Sequence, residues 1–254
     1  MSPQRPLSVL VTGGATGIGL AIARGFIAQG HRVMISGSRP TVPDMARQLS
    51  SPACPVHAHV ADLASEAQTL ALAEETRRVF GGGCDVLVNC AGYSQKRNGE
   101  AIPPTEVSSA DWNRILHINL TAPFLLCREL IPAMRERGWG RVINIASRGG
   151  RTYVPFAGAD YAAAKAGLIG LTRHLAGTYA GEGITVNAIA PGRIDTPLSN
   201  TSSDAVKARA AAAIPAGRFG TPEEIAAVAM FLASDGAAYL TGACLDVNGG
   251  VFMA

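Results

Sequence analysis

The apolar run Leu7-Ser8-Val9-Leu10-Val11 breaks into Thr12-Gly13-Gly14-Ala15-Thr16-Gly17-Ile18-Gly19. An amphipathic stretch follows, with Ile18, Ala21, Ile22, Gly25 and Phe26 on one helical face. Strand, glycine-rich turn and helix in this order open an α/β chain. Glycine permits the tight turn and lets backbone N–H groups approach a phosphate at the positive end of the helix. The alternative is a helix entry that happens to be rich in glycine.

The alternation continues along the chain. A second strand, Arg32-Val33-Met34-Ile35-Ser36, ends in Gly37-Ser38-Arg39. At this end of a dinucleotide-binding sheet an acidic residue would accept hydrogen bonds from the adenosine ribose and mark NAD. No acid stands here. Ser38 and Arg39 suit a 2′-phosphate instead, which favours NADP(H) over NAD(H), an ordinary surface arginine being the other reading. Val56-His57-Ala58-His59-Val60 is a third strand leading to Asp62 and Leu63. Its two histidines share a face without an evident third ligand, so no metal site is expected. A helix over 66–80 and a strand over 85–88 lead to the small residues Asn89-Cys90-Ala91-Gly92, where a flat ligand can pass close to the backbone.

Residues 93–107 read as a polar surface loop. A long helix follows over 109–137, with Trp112, Ile115, Phe124 and Leu130 among its apolar residues and with bends at Pro123 and Pro132. Asn119 lies in mid-helix, either buried and hydrogen-bonded or solvated. The strand Arg141-Val142-Ile143-Asn144-Ile145-Ala146 runs into Ser147 and a glycine-rich loop, then a helix carrying Tyr161 and Lys165. Four residues apart, these two side chains lie on one face, roughly 6 Å apart along the axis. An ammonium beside a phenol stabilises the phenolate, lowering its pKa and fitting it to move a proton. The bland alternative is that both decorate an alanine-rich helix. A strand over 184–189 closes in Pro191-Gly192-Arg193-Ile194-Asp195-Thr196, and residues 197–220 read as a short substrate lid. Thr221-Pro222-Glu223-Glu224 is a capped helix start, and 243–247 is a final strand. No linker or repeat divides the chain, so residues 1–254 are expected to form one domain, a doubly wound parallel sheet with helices on both faces.

Composition agrees. In 254 residues, 48% are apolar, enough for a sizeable core, and the formal charge of +3 without a Lys/Arg run argues against a nucleic-acid partner. Five scattered cysteines without a Cys-x-x-Cys suit reduced thiols. No signal-peptide pattern or membrane-length apolar run is present, and a cytoplasmic protein is expected.

Taken together, Thr12-Gly13-x-x-x-Gly17-Ile18-Gly19, the Asn89 tetrad, Tyr161-x-x-x-Lys165, Pro191-Gly192 and Asn248-Gly249-Gly250 resemble the short-chain dehydrogenase/reductase family. The likeness is to the branch that holds carrier-protein ketoacyl reductases, and it spans essentially the whole chain. It implies an NAD(P)-binding Rossmann domain and hydride transfer between nicotinamide and a carbinol carbon. By resemblance Ser147 orients the substrate oxygen and Tyr161 is the acid in reduction and the base in oxidation. Lys165 tunes the tyrosine and binds the nicotinamide ribose, while Asn119 supports a proton-relay water. Gly13, Thr16, Gly17, Ile18 and Gly19 would meet the cofactor's phosphates, and Asp62 and Leu63 its adenine. Asn89, Ala91 and Gly92 would border the adenosine and ribose; Pro191, Gly192, Ile194 and Thr196 would surround the nicotinamide. The resemblance also implies a homotetramer and a small carbonyl or alcohol substrate.

Two departures bear on substrate. Glu182 stands where carrier-protein reductases can hold an arginine of a basic docking patch. Arg148, Arg151 and Arg193 all follow strand ends at the catalytic edge, either to bind an anionic substrate or to face solvent or subunit contacts. The leading expectation is an NADPH-dependent carbonyl reductase. The alternatives are an NAD-dependent sugar, polyol or hydroxy-acid dehydrogenase and a catalytically silent binding or regulatory fold.

Overall fold

The computed structural model describes residues 5–196 and 211–253. Its first half alternates β1 (Ser8–Thr12), α1 (Gly17–Ala28), β2 (Arg32–Gly37), α2 (Val42–Leu49), β3 (Val56–Val60), α3 (Glu66–Phe80) and β4 (Val86–Asn89). A two-stranded ribbon, β5 (Lys96–Arg97) and β6 (Glu100–Ala101), precedes α4 (Ser109–Leu116) and α5 (Ala122–Arg137). Then come β7 (Gly140–Ile145), α6 (Ala159–Tyr179), β8 (Ile184–Pro191), α7 (Pro222–Ala233) and β9 (Cys244–Val247).

Seven strands form one parallel sheet in the order β3-β2-β1-β4-β7-β8-β9, the expected doubly wound arrangement. Strand alternation divides the core between its two faces. Val9 and Val11 join Ile22, Phe26, Ile225 and Leu232 on one side. Leu10 joins Leu72, Leu87, Leu126, Leu130 and Met134 on the other. Each such fully buried side chain contributes about 1.5–3 kcal/mol relative to exposure. The order reverses between β1 and β4, opening a crevice at the carboxyl edge of the sheet, where such folds bind ligands. At the opposite edge the buried Asp85 carboxylate accepts from Arg5 at 2.8 and 2.9 Å, and from the Ser8 N–H and hydroxyl at 2.8 and 2.9 Å.

The structure adds detail over residues 93–137 that the sequence did not give. The helix over 109–137 is not continuous α-helix: residues His117–Thr121 form a π-turn, with the Ala122 N–H donating to the His117 carbonyl. Pro123 supplies the reason, because it has no N–H for the carbonyl four residues before it, and the wider turn re-pairs the backbone. Trp112 and Phe124 belong to the surface, 37% and 43% exposed. The loop over 93–107 contains the β5–β6 hairpin, turned by Asn98-Gly99 with φ of 52° and 83°. Of the lid expected over 197–220, residues 197–210 lie outside the described residues. The remainder is a helix end and turns tied to the sheet by a parallel bridge between Ile194 and Gly220.

Candidate active site

The crevice floor is the turn between β1 and α1. A Cβ on Gly19 would lie 2.2 Å from the Gly13 carbonyl oxygen, and one on Gly13 would lie 2.9 Å from the Ala91 Cα. Only glycine allows these backbones so close. The Thr12 hydroxyl pins the neighbouring turn by accepting from the N–H groups of Cys90 and Ala91, both at 3.0 Å. Ser65, Ser108 and Thr221 cap α3, α4 and α7 with side-chain oxygens. Thr16 makes no such bond at α1, whose first turn contains no acidic residue. Among the described residues the N–H groups around Gly17, Ile18 and Gly19 therefore have no capping side chain, the arrangement a pyrophosphate requires. Thr196 closes over this turn: its Cγ2 is 3.4 Å from where a Gly17 Cβ would stand. The residues present fit a dinucleotide.

Along the crevice, Ser38 and Arg39 are exposed beyond β2. Among the described residues no hydrogen bond or ion pair engages either side chain. Asp62 follows β3, where its carboxylate accepts from the Ala64 N–H at 3.0 Å and lies 3.5 Å from Arg114. Leu63 is buried beside it. Asn89 faces inward: its amide donates to Asn144 at 2.8 Å, and Asn144 donates onward to Thr172 at 2.9 Å. This buried chain ties β4 and β7 to α6, leaving Ala91 and Gly92 at the crevice itself.

Beyond the switch point the proton-transfer candidates converge. Ser147 follows β7, its hydroxyl accepting from the Gly149 N–H at 3.0 Å. Gly150 presses its loop onto α6, a Cβ there falling 2.6 Å from the Lys165 carbonyl carbon. The Ser147 hydroxyl lies close enough to the Tyr161 phenol to favour its ionised form. Lys165 Nζ donates to the Ile145 carbonyl at 2.8 Å and lies 5.6 Å from the Tyr161 ring centre. Asn119, in the π-turn, is fully buried, donating to the Tyr93 and Ile115 carbonyls at 2.8 and 3.0 Å. Gly92 sits between the two: a Cβ there would be 3.1 Å from Asn119 Oδ1 and 3.4 Å from Lys165 Nζ. Pro191 ends β8, with Gly192 and Ile194 just beyond it.

The electrostatics correct one expectation. Burial pushes the Tyr161 phenol above its ordinary value, while the Ser147 hydrogen bond pulls the other way. Burial also brings Lys165 down to about 8. A lysine that is itself driven towards neutrality, and bonded to a carbonyl, does not outweigh desolvation of the phenol. In this state Tyr161 is a protonated acid.

The three arginines separate. Arg151 turns away, 3.3 Å from the Asp246 carboxylate and 3.3 Å from the Cys244 carbonyl, over the Phe252 ring. Arg148 and Arg193 both approach Phe156, 5.8 and 5.5 Å from its ring centre, and Arg193 lies closer still to Phe219, at 4.9 Å. Sequence reasoning missed Phe156, which no periodicity distinguishes, and the Arg151 partner Asp246, which arrives from β9.

A crevice built for a dinucleotide beside a serine, tyrosine and lysine defines an NAD(P)-dependent oxidoreductase acting on alcohol or carbonyl groups. A family model described as enoyl-(acyl carrier protein) reductase matches residues 13–252, and the chain belongs to the short-chain dehydrogenase/reductase family. It is 40% identical to the 3-oxoacyl-[acyl-carrier-protein] reductase of Salmonella typhimurium, over 96% of each chain. A crystal structure of a 3-oxoacyl-[acyl-carrier protein] reductase from Brucella melitensis with bound NAD superimposes with a TM-score of 0.89 at 34% identity, covering 100% of this chain and 97% of that one. A putative NAD(P)-dependent gluconate 5-dehydrogenase from Beutenbergia cavernae, with bound NADP, gives a TM-score of 0.89 at 38% identity, covering 98% and 97%.

Proposed function

We propose that this protein is an NADPH-dependent reductase that converts a ketone or β-keto carbonyl to a secondary alcohol, reversibly. The observation that carries the reading is the meeting of Ser147, Tyr161 and Lys165 beside the uncapped α1 turn. When bound, the nicotinamide supplies a hydride to the carbonyl carbon. The chain's residues manage the oxygen. Ser147 holds it by hydrogen bonding, and Tyr161, kept protonated by burial, donates the proton that completes the hydroxyl. Lys165 would bind the nicotinamide ribose and gain from it the hydrogen-bonding partners that favour its charged form. Asn119 would hold the β4 loop and support the route by which Tyr161 is reprotonated. Gly13, Thr16, Gly17, Ile18 and Gly19 would hold the phosphates, Asp62 and Leu63 the adenine, and Ala91 and Gly92 the ribose. Pro191, Gly192, Ile194 and Thr196 would flank the nicotinamide, while Asn89 braces the sheet beneath.

Ser38 and Arg39, free of side-chain partners among the described residues, support NADP(H) over NAD(H). A homotetramer belongs to the same reading, with the exposed Trp112 and Phe124 as candidates for burial between subunits. The five free thiols suit a reducing cytoplasm. The test is Tyr161→Phe, which should abolish carbonyl-dependent NADPH oxidation while NADPH binding survives; near-normal turnover would remove Tyr161 from the chemistry. A hydroxy-acid dehydrogenase is the second reading, favoured by Arg148 and Arg193, which no acid pairs among the described residues.

A further inference from the structure

We propose that Arg148, Arg193 and Phe156 form a carboxylate-binding subsite, and that the natural substrate is an oxo acid held by its anionic end. This rests on the carbonyl-reductase reading and names the substrate class for that site. Both guanidinium groups lie within 6 Å of one ring centre, and with Phe156, Ala213, Ile214 and Val251 they line a cavity of about 150 Å³. Neither guanidinium has a carboxylate or hydrogen-bond acceptor among the described residues. The contrast with Arg151, satisfied by Asp246, the Cys244 carbonyl and Phe252, is internal to the same rim. Burial lowers the Arg148 pKa, the sign of a cation partly stripped of water without compensation by an acid.

The position is suited to substrate. Arg148 directly follows Ser147, and Arg193 follows Gly192 at the end of β8. A Cβ on Gly149 would stand 3.5 Å from both Ser147 Oγ and Ala157 Cβ, so the catalytic hydroxyl and the loop bearing Phe156 are close neighbours. A guanidinium offers paired N–H groups to a carboxylate, and two on one wall fix its orientation. Phe156, near both cations, and Phe219, 4.9 Å from Arg193, stabilise them before the anion arrives. An oxo acid would then place its carbonyl towards Ser147 and Tyr161, gaining orientation from the remote charge.

Binding and turnover separate this inference from the reading beneath it. Dissociation constants for the enzyme–NADPH complex are measured with pyruvate, acetoacetate and levulinate, each against its methyl ester. At least one acid should bind about tenfold more tightly than its ester, a preference that shrinks at high salt. Arg148→Gln and Arg193→Gln should reduce that ratio to about threefold or less, with partial recovery in the lysine variants, which keep charge without the fork. Arg151→Ala, checked for folding by its melting curve, should keep the wild-type ratio. Equal binding of acid and ester, no measurable binding of any acid, or a ratio that survives both arginine variants would overturn the subsite. Failure of every ketone and ester to oxidise NADPH or NADH would instead overturn the reductase reading, independently of the binding ratio.

Discussion

Arg135 on α5 is ion-paired with Glu182, just before β8, and its guanidinium lies over the Tyr179 ring at 5.6 Å. Where a carrier-protein reductase can present a basic patch, this surface holds a neutralised pair. The expected outcome is little discrimination between a β-ketoacyl carrier protein and the same acyl group on a small thioester, their kcat/KM values lying within about threefold. Glu182→Arg should raise the carrier-protein value selectively, through an increase that high salt removes. A strong wild-type preference for the carrier protein would contradict this.

On the proposed reading Arg39 sets the cofactor. A charge-assisted contact to a 2′-phosphate contributes about 1.5–3 kcal/mol, and ~1.4 kcal/mol is tenfold. NADPH should therefore exceed NADH by about tenfold or more in kcat/KM, and Arg39→Ala should erase most of the difference by weakening NADPH. Steady-state kinetics with both cofactors decide it, since a wild-type preference for NADH is incompatible with this role.

Lys165 makes the apoprotein's stability depend on pH in a defined direction. With its pKa lowered from 10.5 to about 8, folded and unfolded chains both carry the proton below pH 8. Between those values the folded chain releases it first, the unfolded chain binds more protons, and stability rises with pH. Cys84, Cys90 and Cys127, pushed up to about 12 by burial, act oppositely above their ordinary value of 9. The difference between wild type and Lys165→Met isolates the lysine. The variant should be the more stable at neutral pH, and its advantage should shrink as pH rises. Melting temperatures across the range test this.

Asp85 should matter to folding and not to chemistry. Burial opposes its ionisation, but hydrogen bonds from Arg5 and Ser8 outweigh it and hold the carboxyl below its ordinary value. Asp85→Asn should cost about 2–3 kcal/mol at neutral pH in urea titrations, allowing for the half-exposed Arg5. Because the folded pKa is the lower one, that contribution is present above the ordinary carboxylate range and disappears as pH falls through the folded value. Wild type and variant should therefore converge in acid.

The strands were legible because parallel strands buried on both faces read as nearly continuous apolar runs. The third strand fell on Val56–Val60, and the others shifted by a residue or two at their ends. The β5–β6 hairpin carried its signal in Asn98-Gly99, a pair suited to positive φ, but two-residue strands leave no periodicity to find. The exposure of Trp112 and Phe124 was not legible, since composition tells how apolar a helix is and not which side lacks a neighbour. Positions of Ser147, Tyr161 and Lys165 could be read from spacing. Their protonation tendencies could not, because desolvation depends on β7, β4 and the loop packed around them. The sorting of Arg151 from Arg148 and Arg193 likewise depended on Asp246, distant in sequence.

The π-turn at His117–Thr121 gives the rod from Ser109 to Arg137 two independent angular settings. An α-helix has a single phase, so turning one end to suit a neighbour would turn the other with it. The surplus residue works as a slip joint. Ahead of it, Ile115 is set by the packing of α4; after it, Leu126, Leu130 and Met134 are set by the sheet. Asn119 rides on the joint itself, so substitutions in the core beneath α5 can be absorbed there without re-aiming the residues of α4.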